Sequence, residues 1–288
     1  MNDFIFSDIA IENFIYDNNT KNITRKEIND EITIIGGKIK TRAIEKKYAK
    51  PIGEYVSIYI KRPLDEEYSC QMLEMTVAKE IKKIIEKNIN KKIDLNTSLL
   101  VIGAGNKAVS SDSLGPLTVE ALHVNRHIKM LDEKMFLCLN SCVLSAIEPG
   151  VYGNTGIKTV DIILGVIKET SPDCLIVVDS LFSRSIKFLG SMLQISDGGI
   201  CLGSGVDMVK NELSIRSVGV PVISLGVPFV TDSFSVISNV LSQNNNNKKL
   251  FDKLRQNNKT LISLNNCDVS VKKWAALLAE SIEEICVL

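Results

Sequence analysis

Ser98-Leu99-Leu100-Val101-Ile102-Gly103-Ala104-Gly105 is a short apolar run ending in glycines, and two later runs share its character. They are Cys174-Leu175-Ile176-Val177-Val178-Asp179-Ser180 and Val220-Pro221-Val222-Ile223-Ser224-Leu225-Gly226-Val227-Pro228. Strands that are apolar on both sides, separated by helical patterns, belong to a parallel sheet covered on both faces. The spacing predicts helices over about 69–88, 114–127, 160–168, 232–243 and 269–287, with a further strand at 136–147. Upstream, Glu31-Ile32-Thr33-Ile34-Ile35 and Glu54-Tyr55-Val56-Ser57-Ile58-Tyr59-Ile60 alternate polar and β-branched or aromatic residues, which predicts an antiparallel extension over about 31–62 before a core of about 68–288. The expected fold is α/β: a mostly parallel sheet with helices on both faces and an N-terminal antiparallel extension.

Composition narrows the function classes. With 288 residues and 45% apolar content the chain can bury a sizeable core. Its 34 basic and 34 acidic residues cancel, so no bulk field favours nucleic acid or a membrane surface. No run reaches the ~20 apolar residues of a spanning helix, and the N-terminus lacks the basic, apolar pattern of a secretory signal. The seven cysteines are scattered without a C-x-x-C pair, as expected of reduced thiols in the cytoplasm. The tract Asn244-Asn245-Asn246-Asn247-Lys248-Lys249 reads as a solvated loop.

Ligands in such sheets bind beyond the carboxyl ends of the strands. Gly103-Ala104-Gly105 is half of a dinucleotide fingerprint, but Ala108 occupies the third glycine position and no G-K-[ST] follows, so it reads as a tight turn. Asp179 follows four apolar residues and reads either as a helix N-cap or as a catalytic carboxylate at the sheet rim. Asp112, in Ser110-Ser111-Asp112-Ser113, carries the same two readings. Two carboxylates at neighbouring strand ends could share a proton and activate water, or ligate a divalent metal that does so. The only histidines, His123 and His127, sit four apart on the expected helix, but without the Glu of H-E-x-x-H they make a weak zinc signal and supply no Ser-His or Cys-His protease.

Several strings agree in order and spacing with a known family. Ser111-Asp112-Ser113-Leu114-Gly115-Pro116, Glu148-Pro149-Gly150-Val151-Tyr152-Gly153-Asn154-Thr155-Gly156, Val178-Asp179-Ser180-Leu181-Phe182-Ser183-Arg184-Ser185 and Gln194-Ile195-Ser196-Asp197-Gly198-Gly199 resemble the spore germination endopeptidases. That resemblance implies a core similar to hydrogenase maturation proteases and cleavage of small acid-soluble spore proteins. It also implies a homotetrameric zymogen in the cytoplasm of the forespore and spore core. The family's essential aspartates fall on Asp112 and Asp179, under either an aspartic or a metal-dependent mechanism. Ser7-Asp8-Ile9-Ala10-Ile11-Glu12 is similar to the family's autoprocessing and substrate sites, which implies a cut between Asp8 and Ile9, a propeptide of residues 1–8 and one catalytic domain over 9–288. Arg184 is assigned to orienting a carboxylate or binding the acidic residue of the substrate. Gly198, Gly199, Gly203 and Gly205 are assigned to a substrate-lining loop. Cys201 stands where the family carries His and becomes a third site group, as a thiolate. Two other classes are compatible with the residues: a silent binding protein of the same fold, for which Cys201 argues, and a metal-dependent maturation protease, which would have no use for the acidic-Ile-Ala-x-Glu string.

Overall fold

The computed structural model describes residues 7–17, 23–65, 71–202, 211–241 and 260–288. The expected helix end at Gln243, the Asn244–Lys249 tract, and Gly203 and Gly205 lie outside the described residues.

The parallel half of the sheet comes from the three apolar runs and one more strand. β4 (Ser98–Gly103), β5 (Val143–Ile147), β6 (Cys174–Phe182) and β10 (Val222–Asp232) lie in the order β10-β6-β4-β5, all parallel. Alternate side chains leave each strand on opposite faces, and here both faces are buried. Leu99, Val101, Ile176, Val178, Ile223 and Leu225 enter one core, while Leu100, Ile102, Leu175, Val177 and Val222 enter the other. This double burial is why the strands read as continuous apolar runs.

The other half is antiparallel and belongs to the same sheet rather than lying before it. β1 (Ile23–Glu27), β2 (Ile32–Ile39) and β3 (Gly53–Ile60) pair in sequence, and β7 (Met192–Ser196) joins β3 to β10. The short β11 (Leu261–Ser263) adds to β10, and β8 (Ile200–Leu202) pairs with β9 (Asn211–Leu213) as a separate ribbon.

Helices cover the two faces. α3 (Gln71–Ile89) and the last helix, α11 (Cys267–Cys286), pack with α4 (Leu114–Ala121) over the first core. Trp274 of α11 is buried there, its indole N–H donating to the Gly190 carbonyl at 2.8 Å. α8 (Thr159–Thr170) and α9 (Ile215–Val218) cover the second core. The smaller helices are α1 (Ala10–Tyr16), α2 (Arg42–Tyr48), α5 (Arg126–Leu131), α6 (Glu133–Cys138), α7 (Tyr152–Thr155) and α10 (Ser233–Leu241).

Two expectations need correction. The helix over 114–127 stops at Ala121, and Asn125 breaks it: its side chain donates to the Cys142 carbonyl at 2.9 Å and accepts from the Leu144 N–H at 2.8 Å, which commits the residue to β5. His123 therefore sits in a loop, bonded to Glu283 at 3.0 Å, while His127 lies on α5; the pair shares no helix face. The strand over 136–147 begins only at Val143, because Asp132 accepts from the Met135 N–H and caps α6, turning Phe136 into a buried helical residue.

Helix α4 meets the strand ends without a spacer. A Cβ on Gly115 would lie 2.3 Å from the Ala104 carbonyl oxygen and 2.5 Å from that of Val178, and one on Gly103 would lie 2.4 Å from the Gly115 oxygen. Backbone atoms cannot yield as a side chain tip can. Gly115→Ala is therefore expected to cost about 2 kcal/mol in a denaturant melt by forcing α4 off β4 and β6.

Candidate active site

The loop from β4 to α4 carries Asp112 in a single 3-10 turn, Ser110–Asp112, that touches both β6 and β10. Gly105 makes that turn close: with φ +117° it takes a conformation open to glycine, and a Cβ there would meet the Asp112 carbonyl at 2.1 Å. Asn106 donates its backbone N–H to both the Asp112 carbonyl and Oδ2, each at 2.9 Å. Asp112 caps no helix, since Ser113 holds the N-cap position of α4.

Asp179 sits within β6, not at a helix start, and its Oδ1 accepts the Ser180 N–H at 2.8 Å. The capping reading therefore fails for both aspartates. In the β10–β6 register the neighbour of Asp179 is Gly226, which adds no side chain, so the carboxylate opens into a cleft of ≈ 710 Å³ including its solvent-filled mouth. Gly226 is obligatory for packing as well, because a Cβ there would lie 2.5 Å from Leu181.

Both carboxyl pKa values are raised, and the charge of Asp112 is one of the causes acting on Asp179. Burial raises the Asp112 pKa to about 6, against the weaker opposing pull of the Asn106 N–H. Asp179 is held well above the usual carboxylate range, first by burial and then by the negative charges of Asp112 and Asp8. The negative charge of Asp112 thus favours the protonated form of Asp179, the direction expected when two acids share a site.

The third negative charge comes from the N-terminus. Asp8 pairs with the end of β6: its N–H donates to the Phe182 carbonyl at 2.8 Å and the Phe182 N–H donates to Asp8 Oδ2 at 2.9 Å. Lys50 Nζ reaches Asp8 Oδ1 at 3.1 Å, and both side chains of this pair are nearly buried. Gln194 of β7 straddles the next peptide, with Nε2 donating to the Asp8 carbonyl at 3.0 Å and Oε1 accepting the Ala10 N–H at 2.7 Å. Ile9 is extended, at φ −84° and ψ 110°, and fully buried. Glu12 is buried too; it accepts from the Arg184 N–H at 3.0 Å, the Ser185 N–H and Ser183 Oγ at 2.9 Å, and from Ser7 Oγ.

Other expected residues fall around this cleft. Gly199, at φ +89°, and Cys201 line it, while Gly198 forms the turn that backs onto Gly53. Arg184 is buried, with Nη2 donating to Asn13 Oδ1 at 3.0 Å, and its backbone N–H donates to the Glu12 carboxylate. Lys50, Gln194, Tyr55 and Ser224 also line the cleft, and no local sequence pattern marks them. Among the described residues no three His, Cys, Asp or Glu side chains group as a metal-holding set, so Asp112 and Asp179 offer a cation only a partial protein ligand set. Among the described residues no helix is long and apolar enough to cross a membrane.

Comparison with known proteins adds a family. Residues 10–283 match the family described as germination protease, Peptidase_A25. Similar proteins include the germination proteases of Bacillus cereus (strain G9842), 39% identical over 75% of this chain and 58% of its own, and Geobacillus sp. (strain WCH70), 39% identical over 72% and 56%. A third, from Priestia megaterium (strain ATCC 12872 / QMB1551), is 38% identical over 81% of this chain and 63% of its own. The chain thus spans about three fifths of the length of these curated relatives. Because the match runs from α1 into α11 and takes in Asp112, Asp179 and every cleft-lining residue except Asp8, this chain belongs to the germination protease family.

Proposed function

We propose that this protein is an endopeptidase that cuts small acid-soluble spore proteins during germination, and that it first cuts itself between Asp8 and Ile9. The observation that carries the reading is the company of Asp179: a proton-sharing partner in Asp112, and an acidic-Ile-Ala-x-Glu segment held in the same cleft. In the reaction, ionised Asp112 takes a proton from water as the oxygen attacks the peptide carbonyl, and protonated Asp179 gives its proton to the substrate as the C–N bond breaks. The products are a new carboxylate, whose acid proton goes to solvent, and a new amine; Asp112 passes the proton it took from water back to Asp179 before the next turnover. Should a divalent cation take part, Asp112 and Asp179 would hold it, and it would lower the pKa of the attacking water.

Residues 1–8 act as a propeptide on this account, and 9–288 as one catalytic domain. Working as a homotetramer in the cytoplasm of the forespore and spore core, the enzyme takes these DNA-coating proteins as protein substrates and binds no nucleic acid itself. Cys201 in the cleft wall stands beside the reacting groups as a third site group. The test is to incubate the full chain with a small acid-soluble spore protein, with and without chelator, and to identify the fragments by mass spectrometry. Cuts between an acidic residue and Ile or Phe are expected for the wild type and not for Asp112→Asn or Asp179→Asn. Loss of the cuts on chelation would assign the water to a metal. Absence of cuts in every sample would mark a silent binding protein of this fold.

A further inference from the structure

The geometry points to Lys50 and Gln194 as the residues that read the peptide at the cut: Lys50 selects an acidic residue before the scissile bond, and Gln194 fixes the carbonyl of that bond. The inference rests on the proteolytic reading of the cleft and goes beyond it by assigning the residues that set specificity.

Asp8 is held as a ligand would be. Its backbone N–H extends the pairing of β6 by one residue, the way an added peptide strand docks on a sheet. Its carboxylate is then gripped at both oxygens, by Lys50 Nζ at 3.1 Å and by the Phe182 N–H at 2.9 Å. The Lys50 and Asp8 side chains keep only 11% and 12% of their surface exposed. An isosteric Asn in place of Asp8 would keep the shape but remove the negative charge that Lys50 meets at 3.1 Å, and such a mismatch is rejected far more strongly than a missing methylene.

Gln194 does a different task. Its amide spans the Asp8–Ile9 bond, donating to the Asp8 carbonyl at 3.0 Å and accepting from the Ala10 N–H at 2.7 Å. One rigid group thus fixes the carbonyl and the residue two positions later, and both Asp8 and Gln194 line the cleft that Asp179 lines. A donor on a carbonyl that becomes tetrahedral gains strength as negative charge builds on the oxygen, so its loss is felt in kcat. Ser183, Arg184 and Ser185 hold Glu12 four residues downstream, which makes the segment a peptide read at three points.

The test uses two synthetic peptides carrying residues 3–14, Asp-Phe-Ile-Phe-Ser-Asp-Ile-Ala-Ile-Glu-Asn-Phe and the same sequence with Asn for the residue equivalent to Asp8. The full chain digests them, with Asp179→Asn as the blank. The wild type is expected to prefer the Asp peptide by roughly 100-fold in kcat/KM, and Lys50→Gln to bring the ratio close to 1. Gln194→Met is expected to lower kcat roughly 100-fold on both peptides and leave their ratio intact. Equal cleavage of the two peptides by the wild type overturns the assignment of Lys50 without any variant having to fold, and so does a ratio that survives Lys50→Gln. An unchanged kcat in Gln194→Met overturns the role of Gln194. If the wild type cuts neither peptide, the proteolytic reading itself falls and the subsite falls with it.

Discussion

Asp179→Asn is expected to lose cleavage by roughly 10³-fold while the folded protein gains stability over the wild type as pH rises above the usual carboxylate range, two changes of opposite sign from one substitution. The activity loss follows because an amide cannot hand over the proton that the departing amine needs. The stability gain follows from the direction of the perturbation. A carboxyl whose pKa is raised on folding binds its proton more tightly in the native than in the unfolded state, so stability is lost as pH rises from the unfolded pKa toward the folded one. Asparagine has no such proton, so the variant escapes that loss. For Asp112 the window runs from the ordinary aspartate value of 3.8 to about 6. Because this side chain is partly exposed, Asp112→Asn should gain only about 1–2 kcal/mol at pH 7.5, and nothing near pH 4. Thermal melts at the two pH values check the sign. A carboxylate kept purely for stability would show the reverse, with the variant weaker at neutral pH.

Glu12→Ala is expected to destabilise the protein by about 3 kcal/mol, a fall in Tm of roughly 6 °C or more for a chain of this size. The carboxylate is buried and takes the N–H groups of Arg184 and Ser185 at 3.0 and 2.9 Å. Removing it strands the Arg184 N–H away from water and leaves the Ser185 N–H with only Ser183 Oγ, at 3.0 Å. Ser183 is protected, because its hydroxyl can turn to the Ser185 carbonyl 2.8 Å away. Glu12→Gln should restore much of the loss by keeping acceptors in place. The substitution also loosens α1 from the loop that follows β6, so the Asp8–Ile9 segment should become more open to an added broad-specificity protease such as subtilisin. A melt within about 0.5 kcal/mol of the wild type would mean that Glu12 is solvated and that the segment does not dock.

The parallel half of the fold was legible because double burial makes Leu99–Ile102 and Leu175–Val178 uniformly apolar, and a polar residue at the end of such a run stands out. The strands at 32–39 and 53–60 were legible from their alternation of polar with β-branched or aromatic residues, although only the first is partly exposed and the second is buried from Tyr55 to Ile58. β7 escaped notice: Met192–Ser196 is five residues long, lies between β3 and β10 in antiparallel pairings, and carries a Gln whose side chain serves the cleft, not the core. The break at Leu122–Asn125 was invisible because its cause, Asn125 bonding to Cys142 and Leu144, lies seventeen to nineteen residues away. Distance along the chain likewise hid the cleft. Asp8 meets Lys50 across 42 residues, Phe182 across 174 and Gln194 across 186. Spacing could nominate Asp112 and Asp179 as a pair, but only the β4–β6 register and the turn at Gly105 bring their carboxylates into mutual range.

The most direct measurement of the dyad is kcat/KM against pH, from 4.5 to 9, on a single Asp-Ile peptide with the wild-type chain. The account predicts a tenfold fall per pH unit below a limb near 6, where Asp112 takes up a proton and can no longer activate water. A profile that stays flat through pH 6 would contradict it, because the group that drives the reaction would then not be Asp112.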